Sequence, residues 1–177
     1  MKNIFKTLKV FVLVSVMLIG AQQLACANYP STLDNGNLVL VSARQGVGRY
    51  ADRSSVQVAR YAPPNYQISI RAVNVTFSDN YFREHHTYVG GPYSIGSSWI
   101  LQYRYNWNAK SIATFSNGKW VDYDVCRSHS TAEGYPLIQN TAEVAFVSAY
   151  NMRFFDDKRG YDNERIISES LYHALNI

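Results

Sequence analysis

The run Ser98-Trp-Ile-Leu-Gln-Tyr-Arg-Tyr-Asn-Trp-Asn108, followed by Lys110 to Ser116, Asn117-Gly118 and Lys119 to Val125, decides the fold. In an extended chain Trp99, Leu101, Tyr103, Tyr105 and Trp107 share one side, while Ile100, Gln102, Arg104 and Asn106 share the other. Alternation of period two marks a strand with one buried face. Asn117-Gly118 between two further β-like runs fits a two-residue type I′ turn, because both residues tolerate positive φ. The centre of the chain is predicted to be an antiparallel meander.

Upstream, Leu38 to Val41 reads as a short strand behind the turn residues Asp34-Asn35-Gly36, and Ser54 to Arg60 alternates around Val56 and Val58. Ala62-Pro63-Pro64-Asn65 stops that strand, since proline cannot donate to a ladder. In the next run Tyr66, Ile68, Ile70 and Ala72 share a face, and the apolar phase then switches to Val73, Val75 and Phe77. Such a switch implies a β-bulge or a sheet covered on both sides. Ser78 to Ser98 is polar, holds Gly90-Gly91-Pro92 and Gly96, and reads as a long connection of the functional or moving kind.

Downstream, Arg127 to Leu137 reads as a polar loop. Asn140 or Thr141 can cap a helix over Ala142 to Phe155, with Glu143 closing a capping box from Asn140. That helix is apolar on most sides and hence buried. Ile167, Leu171, Ala174 and Leu175 follow with amphipathic helical spacing. Strands first and helices last predict the α+β class: an antiparallel sheet covered by a buried C-terminal helix, plus a final amphipathic helix.

Met1 to Lys9 is basic, Val10 to Gly20 is apolar, and Ala25-Cys26-Ala27 is a small-x-small cleavage site. Residues 1–27 are therefore expected to be a signal peptide and 28–177 a single exported domain. The apolar run is shorter than the roughly 20 residues of a membrane-spanning helix, so no transmembrane anchor is expected. A lipoprotein reading would need Leu three positions before Cys26, where Gln23 stands. The leader takes three lysines with it, so the formal charge of +4 falls to +1. A near-neutral domain gives no electrostatic case for nucleic acid. Cys126 is then the single cysteine, so the core and not a disulfide must hold the domain. The short lysine-based leader points to the periplasm or the cell surface of a bacterium.

Tyr50-Ala-Asp-Arg-Ser-Ser-Val56, Tyr61-Ala-Pro-Pro-Asn-Tyr66, Tyr103-Arg-Tyr-Asn-Trp107, Asn117-Gly-Lys-Trp120 and Ala142-Glu-Val-Ala-Phe-Val-Ser-Ala-Tyr-Asn-Met-Arg-Phe154 occur in that order. This plan resembles a group of small uncharacterised secreted proteins of diderm Firmicutes over Tyr50 to Phe155. More distantly, Tyr50 to Val125 is similar to surface-adhesin protein E-like domains, departing from them in having one mature cysteine where that family tends to pair two. The likeness implies an exported, adhesin-like binding module and supplies no catalytic residue.

Three groups of residues could carry function. Arg83-Glu84-His85-His86 lies in the long connection with Tyr88 and Tyr93, and His85, His86, Tyr88 and Tyr93 are the candidate ligand-binding residues. Trp120, Asp122, Asp124 and Cys126 would point to one side of a strand, with His129 just beyond. Asp122, Asp124, Cys126 and His129 could hold a divalent metal or form a thiol and imidazole pair, the enzyme alternative of a small extracytoplasmic hydrolase. Residues about 7 Å apart along a strand reach one metal poorly, however, and solvated aspartates beside a turn are the plainer reading. The stripe Trp99, Tyr103, Tyr105, Trp107 is either a platform for sugars or core beneath the long helix, and interruption by Leu101 favours core. No cofactor is expected, and the partner expected is an envelope or surface protein or glycan.

Overall fold

The structure, a computed structural model, describes residues 29–127, 135–161 and 163–177. The expected leader and its cleavage site lie outside these residues, as does His129. The chain forms β1 (Thr32–Leu33), β2 (Leu38–Arg44), β3 (Val47–Ala62), β4 (Asn65–Phe77), α1 (Asp79–His85), β5 (Tyr93–Asn106), β6 (Ser111–Ser116), β7 (Lys119–Tyr123), α2 (Tyr135–Tyr150) and α3 (Glu169–Leu175). All seven strands join one antiparallel sheet in sequence order, so the domain is the α+β meander that its alternation predicts. Among the described residues no helix is long and apolar enough to cross a membrane.

Two tight turns set the register. Gln45-Gly46 joins β2 to β3 and Asn117-Gly118 joins β6 to β7, all four residues at positive φ. Two residues on, Gly48 has a different constraint: a Cβ there would stand 2.6 Å from the Tyr50 ring, so only glycine lets that ring lie flat against the strand.

β4 explains its own phase switch. Ile68 and Ile70 face a large core under α2, while Val73, Val75 and Phe77 face a smaller core on the opposite side of the sheet. The smaller core holds Leu38, Tyr50 and Tyr88, closed by Tyr29, Leu40 and Phe82. Neighbouring β5 carries the bulge: Val73 pairs Ser98 and Val75 pairs Ile95, so Gly96 and Ser97 both oppose Asn74.

The aromatic stripe is core. Tyr103 and Tyr105 are fully buried and donate to the α2 carbonyls of Ile138 and Ala142 at 3.1 and 2.9 Å. Trp107 stacks on Phe146 at 5.6 Å between ring centroids.

Three boundaries differ from expectation, each for a local reason. α2 begins at Tyr135, within the expected loop, and ends at Tyr150 because Asn151 turns left-handed and its N–H closes on the Val147 carbonyl. Phe154 and Phe155 therefore fold back into the core outside the helix. Glu143 then lies in mid-helix, not in a capping box, and its buried carboxylate accepts from the Phe154 and Phe155 N–H groups and from the Tyr172 hydroxyl. Within the expected connection, Ser78 caps α1 by accepting from the Tyr81 N–H at 3.3 Å.

The last irregularity lies in β3. Between the pairs Asp52–Arg71 and Gln57–Ser69, the four residues Arg53 to Val56 face the single residue Ile70. Asp52 pins this bulge by accepting from the Ser54 N–H and hydroxyl and from Arg71. Burial alone would raise its carboxyl, but the hydrogen bonds from Ser54 and Arg71, with the Arg71 charge, hold it below its ordinary value.

Candidate binding surface

The segment that joins β4 to β5 is a folded cover whose inner side seals the small core. Tyr88 is buried, its ring stacked on Phe82 at 4.6 Å and against Tyr29 at 4.8 Å. Of the four residues proposed from sequence, Tyr88 is thus a packing residue, and His85, His86 and Tyr93 remain at the surface. His85 ends α1 with its ring 4.2 Å from that of Tyr81, and His86 is the left-handed cap whose N–H donates to the Phe82 carbonyl at 2.7 Å. The histidines and Tyr93 stand in chain order between the end of α1 and the start of β5.

From Tyr93 the chain runs on as a strand edge. β6 pairs with β5 only from Tyr103 to Asn106, so among the described residues Tyr93 to Gln102 has a strand partner on its β4 side alone. Every residue from Tyr93 to Ser98 is exposed, and no charged residue occurs between Tyr93 and Tyr103. The bulge adds a further feature. Ile100 lies five positions after Ile95, an odd step that would put them on opposite faces of a regular strand. The extra residue at Gly96–Ser97 cancels that parity: Tyr93, Ile95 and Ile100 pair with Phe77, Val75 and Arg71, which share one face of β4. Tyr93, Ile95 and Ile100 are 44%, 61% and 58% exposed, giving an apolar row beside unpaired backbone.

Of the alternative constellation, Asp122, Asp124 and Cys126 lie among the described residues, at the end of β7 and just beyond it. Asp122 pairs with Ala113 within the strand, but the chain leaves the strand after Tyr123 and enters a 3₁₀ turn over Val125–Arg127. Asp124 there accepts from the Cys126 N–H at 3.1 Å and from the Tyr161 hydroxyl at 3.3 Å, and the Cys126 thiol lies 3.9 Å from the Arg159 carbonyl. The one-sided row assumed from strand geometry stops at Asp122. Among the described residues, no three His, Cys, Asp or Glu side chains gather at metal-binding distance.

A further concavity, which the sequence does not suggest, opens away from these residues. It measures about 530 Å³ and lies between the β1–β2 turn, the β3 bulge and the C-terminal ends of α2 and α3. The four-residue bulge that forms one wall has no signature in alternation and so cannot be read from residue pattern.

No protein-family model, curated protein or solved structure matches this chain.

Proposed function

We propose that this chain is an exported binding module of the cell envelope or surface, and that the open edge of β5 is where an extended segment of a partner protein docks. The observation that carries this reading is the coincidence of unpaired strand backbone with the exposed Tyr93, Ile95 and Ile100 row. Natural sheets protect their edges with charge, proline or a covering element, and this edge has no charge for ten residues. Strand addition uses such an edge for affinity and alternate side chains for selectivity. The signal-like leader and the adhesin-like plan of Tyr50 to Val125 support export and the same class of activity.

Isolated envelopes of the source organism are the test probe. Wild-type chain should be retained by them, and an Ile95→Lys/Ile100→Lys double variant should be retained at least about tenfold less while melting like the wild type, since both side chains are exposed. Protease treatment of the envelopes should abolish retention. Equal retention of the double variant overturns the edge as the docking site.

A further inference from the structure

We infer that the concavity beside the β3 bulge is a second binding site, for a small hydrophilic carboxylate of the size of a sugar acid, gripped by Arg53. It shares no residue with the β5 edge and is independent of the function proposed for that edge.

Arg53 is the first residue of the pinned bulge. Its backbone N–H donates to the Asn37 carbonyl at 2.9 Å, and its side-chain Nε donates to the Ser148 hydroxyl of α2 at 3.3 Å. Backbone and side chain are thus both fixed, so ordering the guanidinium on a ligand costs little further entropy. The Nε bond leaves the two terminal nitrogens, which form the fork that matches a carboxylate. Elsewhere Arg71 pairs with Asp52, Arg153 with Glu169, and Arg165 with Asp157 and Glu169. Among the described residues no acidic side chain pairs with Arg53 or lines the concavity.

The remaining walls set the rest of the ligand. Ser54, Asn35 and Asn37 come from the bulge and the β1–β2 turn, and His173 and Asn176 come from the end of α3. These groups suit hydroxyl or amide substituents. No Phe, Tyr or Trp ring lines the site, so an apolar ligand finds little stacking surface and the carboxylate must supply most of the attraction. The volume of about 530 Å³ admits a six-membered sugar ring with its acid group.

Glucuronate and glucose form the decisive pair of probes, because they differ by the carboxylate, and citrate tests the acid group without the ring. Thermal shift and calorimetric titration should show glucuronate and citrate binding with a Kd below about 1 mM and glucose at least about tenfold weaker. Arg53→Gln should remove the response to both acids. Ser148→Asp gives an independent check: it places a carboxylate where the Arg53 Nε bond now ends, so the chain should fold and melt normally while its site is already neutralised and no longer takes glucuronate. Equal binding of glucose and glucuronate, no response to either acid, or undiminished binding by either variant overturns the assignment.

Discussion

Glu143 joins three parts of the chain through one carboxylate. It accepts from Phe154 and Phe155, where the backbone has turned back after Asn151, and from Tyr172 of α3, at 2.8, 3.1 and 2.9 Å. Burial pushes its carboxyl from 4.5 up to about 7, against the pull of those donors and of Lys110. A group with a raised folded value takes up its proton more readily in the native chain. Its contribution is therefore fully present below pH 4.5 and is lost as pH rises through about 7. The loss amounts to about 3 kcal/mol at most. Asp52 acts with the opposite sign: its lowered value makes the contribution of the pinned bulge fade only as pH falls below the ordinary carboxylate range. Urea unfolding at pH 5 and pH 7.5 should show wild type weaker at the higher pH, and Glu143→Gln should lose most of that difference. An unchanged difference in the variant would place the effect on another group.

At the scale of elements, the segment between β4 and β5 has a structural duty. Phe82 and Tyr88 lie on the small core beside Phe77, so replacing Asp79 to Gly91 with a tight turn strips two aromatic rings from it. The cost should be about 3 kcal/mol or more, a fall in Tm of about 10 °C, and calorimetry of the shortened chain checks it. A Tm within two or three degrees of wild type would show the cover to be dispensable. Polarity marks this segment as a loop, because a helix with exposed Arg83, Glu84 and His85 looks like a loop by composition. The meander was legible, since alternation at Trp99 to Trp107 and the Asn117-Gly118 turn are local signals. The end of α2 was not, because Asn151 ends an apolar run that continues through Phe154 and Phe155 in sequence but not in helix. The row of Tyr93, Ile95 and Ile100 was hidden for a related reason: a one-residue bulge reverses the parity on which strand reading depends. Arg53 was out of reach because its surroundings come from the β1–β2 turn, α2 and α3, far apart in the chain.

For the whole molecule, Tyr29 ties the start of the described chain into the small core. Its hydroxyl accepts from the Gly46 N–H at 2.9 Å and its ring meets Phe77 and Tyr88. Export with cleavage after Ala27 should yield a chain that begins at Asn28 and carries no lipid, leaving this anchor one residue from its end. Intact-mass measurement of protein recovered from envelopes tests this, and a diacylated Cys26 would refute it.

The change of side along β4 has a dynamic consequence. Two cores on opposite faces of one sheet share strands but not side chains, so each can loosen while the other stays closed. Native-state hydrogen exchange should resolve two tiers of amide protection. The slower belongs to Ile68, Ile70, Tyr103 and Tyr105 over α2; the faster belongs to Val73 to Phe77 and their neighbours on β3 and β5. A single common opening energy along all of β4 would mean that the strand transmits cooperativity from end to end. Two energies would make its second half a hinge region that can release the segment between β4 and β5 without unfolding the rest.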